Sequence, residues 1–235
     1  MTDIEVAYID HMGTDLAVVN AARVSFDKAS EWEHVATDTT MNLDNGERKE
    51  HPVFMLSDRD AKLINYLAKH NHKSPFNHTF ASFRVKAPIF VARQLVKHEY
   101  MPWNEVSRRY VDSEPEFYTP PVWRKKADNV KQGSSDEVWG NGTWNPRSYI
   151  EAFKDYEYLL DAGVCPEQAR MVLPQSMMTE WIWSGTLSAI AKMYNLRIDP
   201  HTQHETRIVA KLIGDKMAEL YPVSWRALTG EKADG

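Results

Sequence analysis

The chain has 235 residues, 43% of them hydrophobic, with a net charge of −5. That length buries a sizeable core within one large domain, and the negative charge argues against a nonspecific nucleic-acid binder. No apolar run approaches the ~18 residues of a membrane span. Met1-Thr-Asp-Ile-Glu lacks the basic and apolar blocks of a secretory leader, and Cys165, the sole cysteine, excludes an internal disulfide. The expectation is a cytoplasmic protein that binds neither nucleic acid nor membrane.

Glu5 to Asp10 alternates as a first strand. Asp15 is placed to cap a helix through Leu16–Ala22, and Ser25 follows it. Residues 27–57 are polar and irregular and read as an inserted surface loop or hairpin, with Asn45-Gly46 as its turn signal. Ser57-Asp58 caps a helix with an apolar stripe through Ala68. His70, His72 and His78 come next, but no cysteine is near and their intervals match no standard ligand pattern, so no metal is expected. Ala81, Phe83, Val85 and Ala87 alternate with Ser82, Arg84 and Lys86, the pattern of a half-buried strand.

The segment Pro88 to Tyr118 concentrates cations in an acidic chain: Arg93, Lys97, Arg108 and Arg109. Pro88 suits the first position of a helix and Pro102 sets its stop, which puts Arg93 and Lys97 on one face and Gln94 and His98 on the next. Arginine and lysine beside the Ser107 hydroxyl, the Gln94 amide and the Tyr110 hydroxyl make a pocket for a phosphate carried on a polar ring. Residues 119–148 read as a second variable loop region. Tyr149–Ala162 reads as a helix ended by Gly163, and Pro166 opens the next, which carries Arg170. Thr179–Tyr194 reads as one strongly apolar helix, and Asp199-Pro200 as the start of a last helix on which His201, His204 and Glu205 share a face.

The central segment also carries a resemblance. Lys97-His98-Glu99, seven residues and Ser107 is similar to the Arg-His-Arg, seven residues, Ser signature of the flavin-dependent thymidylate synthases, the ThyX family. The flanks Ala87–Gln94 and Asn104-Glu105-x-Ser107-x-Arg109-Tyr110 resemble it too. So do Ala21–Phe26, His72-x-Ser74-Pro75-Phe76-x-His78, Ala169-Arg170-x-Val-Leu-Pro174 and Asn195-Leu-Arg197-x-Asp199-x-His201, in the family's order along most of the chain.

The resemblance implies one α+β domain over residues 1–235, a twisted and mainly antiparallel sheet flanked by helices, and a homotetramer with active sites at subunit interfaces. It implies conversion of dUMP to dTMP, with methylenetetrahydrofolate as one-carbon donor and NADPH-reduced FAD as hydride source, without a cysteine nucleophile. Arg197 matches the arginine that polarises the uracil ring. Gln94, Lys97, Glu105, Ser107, Arg108, Arg109, Tyr110, Arg170 and Arg197 match nucleotide-binding positions. Ser25, Ser74, Lys97, His98, Glu99, Glu105, Thr186, Ser188, Lys192 and His201 match flavin-binding positions. Glu99 and Ser188 replace two arginines and Asn77 a glutamate, which predicts a weakly held flavin whose diphosphate uses other cations such as Lys192. Two other outcomes fit these exchanges: a folate-dependent dUMP hydroxymethylase, and an inactive homologue.

Overall fold

The computed structural model describes residues 3–41, 48–111, 114–128, 134–141 and 147–230. Its elements, in order, are β1 (Glu5–Met12), α1 (Asp15–Arg23), β2 (Glu33–Met41), β3 (Arg48–Met55), α2 (Asp58–Lys69), β4 (Phe80–Pro88) and α3 (Ile89–Leu95). There follow β5 (Trp103–Glu105), β6 (Arg124–Lys126), β7 (Ser134–Val138), α4 (Ser148–Asp161), α5 (Pro166–Ala169), β8 (Met178–Thr186), α6 (Leu187–Arg197), α7 (His204–Leu220) and α8 (Pro222–Thr229). This is a mixed α and β fold, and its backbone groups into two compact units, each drawn from several stretches of chain. Among the described residues no helix is long and apolar enough to cross a membrane.

The first unit comprises residues 1–10, 81–185 and 189–216. Its sheet has the order β1-β4-β8-β5, with β5 antiparallel to β8 in the register Trp103↔Trp183 and Glu105↔Trp181. The expected alternation in β4 holds: Ala81, Phe83, Val85 and Ala87 are buried. The polar residues between them are met by partners from other strands and loops. Ser82 shares a 2.8 Å hydroxyl contact with Ser184, Arg84 pairs with Glu180, and Lys86 pairs with Glu116 at 2.9 Å.

The reading of Thr179–Tyr194 as one helix is wrong, because the segment is the strand β8 followed by α6. Trp181 and Trp183 are each 1% exposed while Ile182 between them is 40% exposed, a period of two that the run of large apolar residues disguised. Trp103 stacks on Trp181 at 4.3 Å between ring centroids and meets Trp183 edge-on at 5.7 Å. Aromatic rings crossing the strand pair in this way stabilise it beyond their area burial.

The helix opened by Pro88 is also shorter than expected. Pro88 remains extended at the end of β4, and α3 stops at Leu95, well before Pro102. Tyr100 takes a left-handed backbone in the turn beyond, with φ of +60°. Lys97 and His98 are therefore turn residues. Residues 119–148 hold the short antiparallel pair β6–β7 where loop was expected. The last long helix starts at His204, five residues after Asp199, so His201 is not on its face. Asp199 closes the turn before it, accepting from the His201 backbone N–H at 2.8 Å.

The second unit comprises residues 11–80, 186–188 and 217–235. Here α1, α2 and α8 pack together, burying Val18, Val19, Ile64, Leu67 and Trp225. Gly13, with φ of +82°, turns the chain from β1 into α1. Asp15 was expected to cap α1, but it is that helix's first residue. Its carboxylate, 2% exposed, accepts the Val223 and Ser224 backbone N–H groups at 2.9 Å and so caps α8. The Ser57 cap of α2 is as expected, its hydroxyl accepting from the Asp60 N–H at 3.1 Å. The 27–57 insert is the antiparallel hairpin β2–β3, exposed along both strands. Its Asn45-Gly46 turn lies outside the described residues.

Candidate active site

Arg197, the last residue of α6, is tied at two points, to the end of α3 and to the turn that follows it. Its Nε–H donates to Nε2 of His98 at 2.9 Å, and Nη2 donates to the Gln94 carbonyl oxygen at 2.9 Å. That carbonyl lies in the last turn of a short helix, where free carbonyl groups attract a cation. Burial lowers the guanidinium pKa from its ordinary value. His98 is half-buried, and burial first, then the charges of Arg197 and Lys192, pull its pKa down to about 4. A neutral imidazole with an open Nε2 is what an N–H donor from arginine needs.

The Gln94 side chain is held in turn. Its Oε1 accepts from the Thr206 hydroxyl at 3.1 Å, and its Nε2 donates to Oε1 of Gln203. Arg197, Gln94, Lys97, Asn195, Asp199 and His201 line a cleft of about 660 Å³, which suits a nucleotide-sized ligand. His201 Nδ1 lies 2.9 Å from Asp199, whose pKa is lowered by hydrogen bonds from the His201 backbone and side chain.

A second cleft in the same unit, of about 480 Å³, is lined by Glu105, Arg108, Arg170, Lys86 and Thr179 among others. Glu105 accepts from the Thr179 hydroxyl at 2.7 Å and from the Trp103 indole at 3.1 Å. In the turn after β5, the Ser107 hydroxyl accepts from the Arg109 backbone N–H at 3.4 Å, and the Arg109 guanidinium sits 5.0 Å from the centre of the exposed Tyr110 ring. The structure thus gathers Gln94, Lys97, Arg197 and His201 at one cleft and Glu105, Arg108 and Arg170 at another, and the two share no lining residue.

The remaining expected flavin positions are dispersed. Lys192 lies 3.5 Å from the Glu99 carboxylate. Thr186 and Ser188 both donate to the Asn77 side-chain oxygen, so the substituted positions form a neutral cluster. Ser25 and Ser74 line a cleft of about 830 Å³ in the second unit. Cys165 is exposed and lines none of these clefts. Among the described residues no group of three or more His, Cys, Asp or Glu is arranged to hold a metal ion. Gln203 and Thr206 were not anticipated, because their contacts with Gln94 join residues more than a hundred positions apart and leave no local pattern.

Comparison with known proteins agrees with the resemblance. A family profile described as "Thymidylate synthase complementing protein" matches residues 7–223. The chain is 35% identical over 232 residues to a flavin-dependent thymidylate synthase of Thermus thermophilus, covering 98% of this chain and 77% of that protein. It is 35% identical over 222 residues to one of Thermotoga neapolitana, covering 94% and 89%. Among solved structures it is similar to a UMP/dUMP methylase, PolB, from Streptomyces cacaoi bound with 5-Br dUMP, at 30% identity and a TM-score of 0.75, covering 98% of this chain and 96% of that one.

Proposed function

Because the chain belongs to the flavin-dependent thymidylate synthase family, we propose that it methylates C5 of the uracil ring of dUMP, with methylenetetrahydrofolate as one-carbon donor and NADPH-reduced FAD as hydride source. The observation that carries this reading is the double tether of Arg197 above a nucleotide-sized cleft. As C5 becomes nucleophilic, negative charge builds at N3 and the carbonyl oxygens of the ring. A guanidinium fixed through Nε and one Nη2 hydrogen keeps its other N–H groups for those atoms and needs no covalent bond at C6. Cys165, exposed and outside the clefts, is not the nucleophile.

Gln94 and Lys97 hold the phosphate or sugar from the same cleft, while Glu105, Ser107, Arg108, Arg109 and Tyr110 form the loop that wraps the nucleotide and Arg170 is a further phosphate clamp. That Gln94, Lys97 and Arg197 line one cleft of the chain while Glu105, Arg108 and Arg170 line another supports a homotetramer in which one copy brings Arg197 and another brings the 105–110 loop. The flavin, when bound, supplies the hydride that reduces the one-carbon unit. Ser25 and Ser74 fit its polar groups, in a cleft with apolar walls and a cationic rim. Lys97, His98, Glu99, Glu105, Thr186, Ser188, Lys192 and His201 complete the positions assigned to it by resemblance.

The deciding experiment incubates the protein with dUMP, isotope-labelled methylenetetrahydrofolate, FAD and NADPH, with UMP as a parallel substrate, and weighs the nucleotide product. Labelled dTMP is the expected result. A product carrying one further oxygen, or unchanged dUMP, would overturn the proposal.

A further inference from the structure

The substitutions in the signature leave a question of charge, and the second unit answers it. A flavin dinucleotide carries an anionic diphosphate that needs cations close by. At the positions matched to the flavin, Glu99 of the signature engages Lys192, and Ser188 contributes only a hydroxyl bonded to Asn77. In the 830 Å³ cleft that holds Ser25 and Ser74, by contrast, Lys28, Arg59 and Lys73 stand at the lining with no carboxylate among the lining residues. Lys28 and Lys73 make backbone hydrogen bonds, with the Arg23 carbonyl and the Phe76 N–H, but among the described residues no side chain of the three is in a hydrogen bond or ion pair. Arg23, also at this cleft, is used by the buried Asp60.

The walls between these cations are apolar and aromatic. Phe26 is 75% exposed and Tyr66 54% exposed, with Leu63 beside them. Large rings left open to water beside a cationic rim suit a flat heteroaromatic ring joined to phosphates. The volume lies within the ordinary range for a ligand site, about 300–1,000 Å³. Lys28 and Arg59 also border a neighbouring groove containing Glu31 and Glu33, but pair with neither.

We infer that this cleft holds the adenosine diphosphate half of an adenine dinucleotide, with Lys28, Arg59 and Lys73 as the phosphate ligands in place of the arginines exchanged for Glu99 and Ser188. The inference rests on the reading that the protein uses such a cofactor, and it adds the place and the residues. FAD and NADPH share this chemistry, and the assay separates them. The three cations are exposed, so the attraction is screened by salt.

The test is calorimetric titration of the purified full chain with ADP, FAD, FMN, NADPH and, separately, dUMP. ADP is expected to bind, more weakly as ionic strength rises. Displacement of ADP by FAD assigns the flavin, and displacement by NADPH alone assigns the reductant. FMN, which lacks the adenosine half, should compete poorly. Lys28→Ala, Arg59→Ala and Lys73→Ala should each weaken ADP binding about tenfold, the loss of one charge-assisted contact. Lys28→Arg and Lys73→Arg should restore it, and dUMP affinity should not move. If FAD binds but these three variants leave ADP and FAD affinities unchanged, or if Lys97→Ala alone removes ADP binding, the inference is overturned while the proposed reaction stands. If dUMP binds and no dinucleotide does, both the cofactor reading and the inference fall.

Discussion

The Nε–H of Arg197 is donated to Nε2 of His98 across 2.9 Å, so the imidazole that orients the guanidinium has to be neutral. The His98 pKa is pulled from 6.5 to about 4, chiefly by burial and then by the charges of Arg197 and Lys192. The unfolded chain takes up this proton near pH 6.5 and the folded chain only near 4. The stability that His98 contributes is therefore present in full above 6.5 and is lost as the pH falls toward 4. Activity that depends on the Arg197 orientation should persist through mildly acidic pH and fail as it approaches 4. NMR titration of His98, set beside the pH dependence of kcat/KM, checks this. His98→Gln, which keeps an acceptor, should retain more activity than His98→Ala and lose the dependence near 4.

Arg197→Lys should be a poor replacement. A single ammonium on a flexible stem cannot hold the fixed geometry that reaches His98 and the Gln94 carbonyl together and still faces the cleft with a planar fork. The expected loss is about a hundredfold in kcat, from a tether and an oriented donor removed together. The dUMP dissociation constant should change less, because the proposed site assigns the remaining contacts to Gln94, Lys97 and the 105–110 loop. Single-turnover kinetics beside equilibrium binding separates the two.

Glu205 and Arg124 form an ion pair at 2.9 Å, with the carboxylate side chain only 5% exposed. Glu205→Gln should destabilise the protein by roughly 1–3 kcal/mol, since it leaves a partly buried guanidinium less well compensated. The same change has a spectroscopic signature. Tyr118 is pushed up to about 12 by burial first and by the Glu205 carboxylate second. Folded Tyr118 stays neutral where the unfolded phenol ionises, so its contribution is present below pH 10 and lost as pH rises toward 12. Glu205→Gln should move the phenolate transition to lower pH in an ultraviolet titration.

Gly214 lies against the ring of Tyr194, so closely that an added Cβ would overlap ring carbons. Tyr194 is 3% exposed and has little room to withdraw. Gly214→Ala should cost about 1–3 kcal/mol of stability by overpacking, despite the better helix propensity of alanine. Denaturant unfolding of the variant measures it.

Several elements were legible in the residues because local rules and tertiary packing agree there. The two-residue alternation of β4 and the Ser57 cap of α2 needed nothing beyond their own segments. The strand β8 was misread because Trp181-Ile182-Trp183 fills both faces with large apolar side chains and hides its period. Asp15 was assigned to the wrong helix because its acceptors' partners, Val223 and Ser224, lie about two hundred residues away. At the site, Arg197 and its neighbours were found by resemblance. The features that place the guanidinium, a turn residue's imidazole and a helix-end carbonyl, exist only once α3 and α6 are packed. Gln203 and Thr206 were invisible for the same reason.

The central claim is that a nucleotide site is completed by Arg197 from one chain and the 105–110 loop with Arg170 from another. Arg197→Ala and Arg108→Ala/Arg170→Ala proteins, each inactive alone, can be unfolded together, refolded as mixed oligomers and assayed for dTMP formation from dUMP. The account predicts that the mixture regains a substantial fraction of wild-type turnover, because some hybrid sites draw both intact halves from different chains. A mixture as inactive as its two parents would contradict it.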